Sequence, residues 1–291
     1  MMKLLKNVKV LYTQNAELAK NVNADVTIEA EYGDVCVEGK ILTLAHHGSR
    51  SNNPAPCQLE NQELSCDTIL VSHLDLDTLG GIMAVLGIKK GLQSFWDDVA
   101  YIDVNGTHHM YKIPIKHQDL INAYYCIADQ IGRLPLAREE VLDVTETVKK
   151  FLEELNKLFT NEEYRNEMIE KGREWAENKT KQVENCLVKE TPRIRCFVTD
   201  GVFCGASYYS PQFDTVCDAT ISMNTKFGSI TLAFEDGGKE HNAVEIVQSL
   251  WGTEAGGRAG IAGSPRGWNK TKEELEIEFN KLISKVEKLY K

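Results

Sequence analysis

Short apolar runs separated by turn residues mark the first part of the chain and predict strands there. Residues 26–30 and 35–44 alternate or run apolar, and residues 69–71 form a β-branched run typical of a buried strand. Residues 99–104 predict a further buried strand. Between these last two runs, apolar residues recur at helical spacing at Leu79, Ile82, Met83 and Leu86. The order strand, helix, strand predicts a βαβ unit with a parallel sheet.

The rest of the chain changes from helix-like to strand-like patterns. Within residues 133–190, apolar side chains recur at three- and four-residue spacing at Val141, Val144, Val148, Phe151, Leu155 and Phe159. Pro192 ends this stretch, and the strand-like runs after it are 194–198, 217–223 and 228–234. A final helix is predicted to begin at the capping box formed by Thr271 and Glu274.

These patterns predict an α/β protein with two domains. We expect an N-terminal domain built on a parallel sheet over residues 1–132. A helical connector is predicted over residues 133–190, and a smaller C-terminal α/β domain over residues 191–291.

Composition and charge narrow the function. The 291 residues carry a net charge of −10, which disfavours binding to duplex nucleic acid, because such binding rests on Lys and Arg. A small phosphorylated ligand held by metal ions and a few local cations is compatible with that charge. We find no run of ~20 apolar residues and no secretory signal, so we expect a cytoplasmic protein without membrane contact. The eight cysteines form no C-x-x-C pair, which argues against a thiolate zinc site. A homodimer is left open.

The stretch from Ile69 to Gly81 carries the strongest candidate chemistry. His73, Asp75 and Asp77 occupy alternate positions where the predicted strand gives way to the helix. In open α/β sheets, ligands bind beyond the carboxyl ends of the strands. An imidazole and two carboxylates this close together would repel one another or titrate unless a cation lay among them. We therefore predict that these three residues are metal ligands.

Residues that follow the predicted strand 99–104 extend this hypothesis. Asp103 is expected at the end of that strand as a fourth ligand, and His108 and His109 lie in the next turn as candidate catalytic residues. Carboxylate and imidazole ligands suit Mn²⁺, with Mg²⁺ or Zn²⁺ as alternatives. Two such ions about 4 Å apart can activate a water molecule and clamp a phosphoryl group. We expect one or two ions.

Two other segments are candidates for smaller roles. The segment Gly252–Gly263 contains five glycines in twelve residues, so its backbone N–H groups can converge on an anion beside the cation of Arg258. The alternative is a tight loop that lets the last helix pack closely. The doublet His46-His47 is interpreted as capping a strand end, with a further metal ligand as the alternative. The predicted substrate-binding residues are Gly256, Gly257, Arg258 and Gly260.

Two of these segments together resemble the DHH phosphoesterase superfamily. Asp75-Leu-Asp-Thr-Leu-Gly-Gly81 is similar to its first motif. Gly256-Gly-Arg-Ala-Gly-Ile-Ala-Gly263 resembles the glycine loop of the associated C-terminal domain, with Arg258 where the family has His. The resemblance implies a Mn²⁺ pair and hydrolysis of small phosphate esters, of the nucleotide, short oligonucleotide or cyclic dinucleotide type, in a cleft between two domains.

The same resemblance suggests roles for individual residues. By motif position, His73, Asp75 and Asp77 would be ligands and Asp103 would bridge the metals. His108 and His109 would stand for the doublet that names the family.

Two alternatives are kept beside this hypothesis. The stretch from Ser72 to Gly81 also resembles the Thr-His-x-His-x-Asp-His-x-Gly-Gly motif of metallo-β-lactamase-type hydrolases, with Asp75 and Thr78 at two of the His positions. The helical middle of the chain does not suit that fold. The third reading is a degenerate phosphoesterase that binds a nucleotide without hydrolysing it.

Overall fold

A computed structural model describes residues 8–33, 35–47, 50–265 and 267–291 of the chain. They form two compact units. The first contains the described residues up to Asn105 together with Met110–Trp175; the second contains Gly106–His109 and the described residues from Ala176 onward. Both units combine helices with a sheet that has parallel strand pairs, so the predicted α/β class is confirmed. Among the described helices, none has the length and apolar character needed to cross a bilayer.

The sheet of the first unit is mainly parallel. The described part of this unit contains the strands β1 (Lys9–Tyr12), β2 (Val26–Ile28), β3 (Glu31–Tyr32), β4 (Val35–Cys36), β5 (Leu42–Leu44), β6 (Thr68–Val71) and β7 (Leu142–Asp143). Five of them form one sheet in the order β5-β2-β6-β1-β7, in which only β7 is antiparallel to its neighbour. Strands β3 and β4 pair as a separate hairpin. Because β5, β2 and β6 run in one direction, their carboxyl ends share one edge of the sheet.

Helices pack around this sheet and supply most of its core. They are α1 (Ala16–Val22), α2 (Leu76–Val85), α3 (Gln93–Asn105), α4 (Ile115–Ile131), α5 (Thr145–Thr160) and α6 (Glu162–Glu184), whose last turns belong to the second unit. The chain also forms 3-10 helices at Pro56–Gln58 and Thr107–Lys112. Helix α2 is buried along its whole length, whereas α5 buries one apolar stripe, as its sequence pattern predicts.

The predicted strand over residues 99–104 is wrong, because these residues form the last turns of α3. The buried side chains of this helix are Phe95, Trp96, Val99, Ala100 and Ile102. Their three- and four-residue spacing is helical, and it becomes apparent only when the segment is followed from Gln93. A six-residue apolar run fits either structure, so length decides. Asp103 therefore lies in the last turn of a helix and not at a strand end.

The second unit is built on a mixed sheet. Its strands are β8 (Leu187–Glu190), β9 (Ile194–Thr199), β10 (Tyr209–Ser210), β11 (Thr215–Val216), β12 (Ala219–Asn224), β13 (Ser229–Phe234), β14 (Gly256–Arg258) and β15 (Ile261–Gly263). Six of these form one sheet in the order β14-β15-β13-β12-β9-β8, with only β9 and β12 parallel. Strands β10 and β11 pair separately. The strands predicted at 194–198, 217–223 and 228–234 correspond to β9, β12 and β13.

Two helices complete the second unit, α7 (Ala243–Trp251) and α8 (Lys272–Glu287), followed by a 3-10 helix at Lys288–Tyr290. The predicted capping box is present at the start of α8. The Glu274 carboxylate accepts from the Thr271 N–H at 2.8 Å, and the Thr271 hydroxyl accepts from the Glu274 N–H at 3.2 Å. The core between sheet and helices includes Ile221, Met223, Leu232, Phe279 and Leu282.

Candidate metal centre

Three neighbouring parallel strands of the first unit end in side chains that can hold metal ions. Glu29 follows β2, His46 and His47 follow β5, and His73 follows β6. Because β2 lies between β5 and β6, Glu29 stands at the centre of this edge. Its backbone adopts φ +49°, a left-handed conformation uncommon for a residue with a side chain, and its side chain is fully buried. Asn23, Glu63 and Asp214 also have positive φ, but among these four residues only Glu29 has a fully buried side chain at the ends of the parallel strands.

The Glu29 carboxylate presents one oxygen to each of two groups of ligands. Its Oε1 lies 2.7 Å from Nε2 of His46 and 3.2 Å from Nε2 of His47. Its Oε2 lies 2.5 Å from Nε2 of His73. One buried carboxylate therefore links two sets of imidazoles, which is the arrangement expected of a ligand that bridges two ions.

The first group converges on His46. The Nε2 atom of this imidazole lies 3.2 Å from Oδ2 of Asp77 and 3.2 Å from Oδ2 of Asp103. These three atoms and Oε1 of Glu29 are buried, and none of them makes a hydrogen bond of ordinary geometry with another described residue. Buried polar atoms are almost always satisfied, so four that converge without hydrogen bonds fit a site for a cation.

The second group lies at the more exposed side of Glu29. Nε2 of His73 lies 3.2 Å from Oδ2 of Asp75. The other oxygen of Asp75 caps α2 by accepting from the Thr78 N–H at 2.9 Å, so the helix start fixes this carboxylate. The side chains of His47, His73 and Asp75 are 43%, 41% and 38% exposed. This side of the site is therefore open to solvent or a ligand.

Neighbouring groups orient the ligands. The Ser72 hydroxyl lies 3.0 Å from Nδ1 of His73, which turns the Nε2 atom of that ring toward Glu29. The Cys57 N–H donates to Oδ1 of Asp77 at 2.8 Å and leaves Oδ2 facing His46. Cys57 can approach because α2 carries Gly80 beside it; a Cβ on Gly80 would lie 2.6 Å from the Cys57 Cβ.

The surroundings of Glu29 favour its ionised form. Burial alone would raise the pKa of this carboxyl. The imidazoles of His46, His47 and His73 that face it outweigh burial and hold the pKa well below its ordinary value. Glu29 is therefore ionised at neutral pH.

The imidazoles respond in the opposite direction. Burial would lower the pKa of His46, but the three carboxylates around it raise that pKa to about 12, and the two carboxylates beside His73 raise its pKa to about 11. Burial raises the pKa of Asp77 to about 6. Without a metal ion, the imidazoles of His46 and His73 are therefore protonated at neutral pH, and they supply positive charge beside the carboxylates.

The donor set fits divalent cations. Glu29, His46, His47 and Asp103 offer one ligand atom each within 4.8 Å of one another, and Glu29, His73 and Asp75 do the same. Asp77 adjoins the first group through His46. Mixed carboxylate and imidazole ligands suit Mn²⁺ and Zn²⁺ better than Mg²⁺ or Ca²⁺, which prefer oxygen alone.

Sequence reasoning found only part of this group. All four predicted metal ligands, His73, Asp75, Asp77 and Asp103, lie in it, although Asp103 arrives on a helix. Glu29 was missed because a lone Glu at the end of a short strand carries no local signal. The sequence favours a capping role for His46 and His47, whereas in the structure both imidazoles contact Glu29, which favours the alternative that they are ligands.

The predicted catalytic residues His108 and His109 form a different group. Their Nε2 atoms lie 3.2 and 2.7 Å from Oε1 of Glu235, in the second unit. Their predicted catalytic role stays a prediction.

The predicted glycine loop is a β-hairpin formed by β14 and β15. Gly257 has φ +154°, and a Cβ there would lie 2.3 Å from the Ile261 carbonyl oxygen, while a Cβ on Gly260 would lie 2.7 Å from Gly237. These two glycines therefore allow close backbone packing. Arg258 is exposed on the outermost strand of the sheet. The substrate-binding role predicted for Gly256, Gly257, Arg258 and Gly260 stays a prediction.

No protein-family model and no curated protein matches the sequence. Among solved structures, it is similar to a pGpG-specific phosphodiesterase, PggH, from Vibrio cholerae, with 10% identity and a TM-score of 0.46 over 94% of this chain and 98% of that chain. It is also similar to an uncharacterized protein from Helicobacter pylori G27, with 13% identity and a TM-score of 0.25 over 82% of this chain and 74% of that chain. Both are too distant to assign a function.

Proposed function

We propose that the protein hydrolyses a small phosphate ester, with two divalent cations held by the residues around Glu29. The observation that carries this proposal is the Glu29 carboxylate, whose two oxygens face two separate sets of imidazole and carboxylate ligands. Two ions held close together by a shared ligand suit the displacement of an oxygen at phosphorus, because they stabilise both the attacking and the leaving oxygen. The resemblance of residues 75–81 to the DHH phosphoesterase motif agrees with this reaction.

Each residue has a part in the proposed reaction. Glu29, His46, His47, Asp77 and Asp103 would hold one ion, and Glu29, His73 and Asp75 would hold the other. When bound, such ions polarise a phosphoryl group and lower the pKa of a water molecule.

The protein contributes position and access. Glu29, His46 and Asp77 exclude water from the inner side of the site because they are buried. The exposed His47, His73 and Asp75 leave the outer side open to the ester. Ser72 keeps the His73 ring turned toward Glu29. The ligands thus stand fixed before substrate arrives, which is the main contribution a protein makes at a metal site.

The substrate we propose is a nucleotide, a short oligonucleotide or a cyclic dinucleotide. We propose Mn²⁺ as the metal and Arg258 as a contributor to substrate affinity, since a guanidinium binds phosphate through paired hydrogen bonds. Arg258→Ala should weaken substrate affinity more than metal affinity. An unchanged affinity for substrate would remove Arg258 from the proposal.

The test measures metal content and turnover together. The purified protein is loaded with Mn²⁺, and hydrolysis of a chromogenic phosphodiester and a set of nucleotides is followed. Asp77→Asn should lower turnover by about 100-fold or more. Even the loss of a group that only orients a metal ligand lowers metal affinity or activity by about 10- to 100-fold. The matched control is Asp98→Asn, which removes a carboxylate paired with His117 in the same unit but outside the metal ligands.

The outcomes distinguish the three functional hypotheses. Mn²⁺-dependent turnover that falls in Asp77→Asn and persists in Asp98→Asn supports the proposal. Nucleotide binding without turnover of any ester would identify a degenerate binder instead. Tight binding of Zn²⁺ together with turnover of a lactone or thioester would identify a metallo-β-lactamase-type hydrolase. If the protein binds no divalent cation, the proposed metal centre is overturned.

A further inference from the structure

A second group of metal-binding side chains lies in the other unit. Residues Gly106–His109 belong to the second unit, although they are flanked in sequence by residues of the first. There the imidazoles of His108 and His109 meet the carboxylate of Glu235, the first residue after β13. The Glu235 N–H donates to the Asp218 carbonyl at 2.9 Å, which fixes the position of this residue beyond the strand end.

The local backbone brings the two consecutive imidazoles to one carboxylate oxygen. Neighbouring residues normally point apart, but the 3-10 turn that begins at Thr107 places the two rings 4.5 Å apart, at 76° to each other. Gly106 makes the turn possible, because its φ is +91° and a Cβ there would lie 2.6 Å from the His108 ring. The His109 N–H closes the turn by donating to the Gly106 carbonyl at 3.1 Å.

The result is a compact set of three ligand atoms with restricted access. Nε2 of His108 and Nε2 of His109 lie 3.2 and 2.7 Å from the same Glu235 oxygen, and the three atoms lie within 4.8 Å of one another. The His108 and His109 side chains are almost buried, whereas Glu235 is partly exposed. Tyr208 packs against the His108 ring with 4.8 Å between centroids and holds it in place.

We propose that His108, His109 and Glu235 form a binding site for a transition-metal ion, Zn²⁺ in the first place. Two imidazoles and one carboxylate are a common ligand set for this ion, with a fourth position left for water or a ligand. Bound metal would fasten residues 106–109 to the end of β13. The site is independent of the function proposed for the Glu29 residues, since it shares no ligand with them.

The experiment uses Zn²⁺ and Co²⁺ as probes on the full chain. Metal content after equilibrium dialysis against Zn²⁺ is compared between the unchanged protein, His109→Ala and Glu235→Gln. We expect both variants to retain one equivalent less. The matched control is His241→Ala, which removes an imidazole of the same unit that packs against Phe234 and Tyr290 and is not one of the proposed ligands. It should retain the full amount.

Two further measurements keep the result interpretable. The visible absorption of Co²⁺ should lose one component in Glu235→Gln and keep it in His241→Ala, which tests ligation directly. Thermal unfolding shows whether a variant is folded, and Zn²⁺ should raise its midpoint less in Glu235→Gln than in the unchanged protein. Equal metal content and equal Co²⁺ spectra in Glu235→Gln and the control would overturn the site. This is the result expected if these residues form a simple ion pair that binds no metal. Adding Glu29→Gln to each variant separates the two sites. The loss of one metal equivalent in His109→Ala and Glu235→Gln should persist in this background, whether or not the Glu29 residues bind metal.

Discussion

Replacing Glu29 by Gln is the most direct perturbation of the proposed centre. Gln has nearly the same shape, but it offers a single carbonyl oxygen and replaces the other oxygen by an NH₂ group that donates. In the structure both oxygens of Glu29 are committed, Oε1 to His46 and His47 and Oε2 to His73. Whichever way the amide turns, one of the two ligand groups loses its shared oxygen and faces a hydrogen-bond donor.

The size of the effect follows from this geometry. Substitution of a group that only orients a metal ligand costs about 10- to 100-fold in metal affinity. Glu29→Gln removes a ligand itself and a full negative charge, so the weaker of the two ions should lose at least about 100-fold, or about 2.7 kcal/mol. If hydrolysis needs both ions, kcat/KM should fall by at least the same factor at a subsaturating metal concentration.

The assay is a Mn²⁺ titration monitored by calorimetry, and phosphodiester turnover is measured on the same samples. Asp98→Asn serves again as the control, because it removes the partly exposed carboxylate that pairs with the buried His117 imidazole. Glu29→Gln should bind one ion less at a concentration that saturates the control. Two ions bound with unchanged affinity in Glu29→Gln would refute the bridging role, even if turnover fell.

Three other perturbations test separate parts of the structure. Mn²⁺ binding at pH 7 should release protons, because the raised pKa of His46, about 12, keeps its imidazole charged in the metal-free protein; calorimetry in buffers of different ionisation enthalpy measures the number released. Because protons compete with the metal for this imidazole, the apparent metal affinity should rise with pH. The charged imidazole stabilises the metal-free protein, and this contribution should fall as pH rises from about 6.5 toward the raised pKa of His46. Gly80→Ala should destabilise the first unit by about 1–3 kcal/mol in denaturant unfolding, since its Cβ would overlap Cys57, whereas Gly256→Ala, with open space around it, should not. Arg195→Met should cost about 3–5 kcal/mol, because it leaves the buried Glu190 carboxylate unpaired, while Arg193→Met at the surface should cost little.

The sequence predicts those parts of the site that are close together along the chain. His73, Asp75 and Asp77 fall on one junction of strand and helix, so alternation and the following glycines suffice to single them out. The α/β class follows for the same reason, because most runs of apolar residues indicate their own element, although the run 99–104 predicts a strand where α3 lies. These are local properties that need no knowledge of which strands are neighbours.

The remaining ligands depend on the order of strands in the sheet, which the sequence pattern does not predict. Glu29 and His46 join the site only because β2 lies between β5 and β6, and no pattern within either segment states that pairing. The sequence pattern predicts Asp103 at the end of a strand, whereas it lies in the last turn of α3. Its carboxylate nonetheless reaches His46 because the last turn of α3 ends beside the same sheet edge.

Charge balance is compatible with the two proposed ions. The ligand groups contain four carboxylates, from Glu29, Asp75, Asp77 and Asp103, and three imidazoles. In the metal-free protein the protonated imidazoles of His46 and His73 offset part of this negative charge, because the surrounding carboxylates raise the pKa of both rings. A metal ligand must be deprotonated, so binding removes those protons and leaves four negative charges to be neutralised. Two divalent cations supply that charge once all three imidazoles are ligands. A single ion held by His46 and His47 would leave His73 protonated beside Asp75, and one net negative charge would remain.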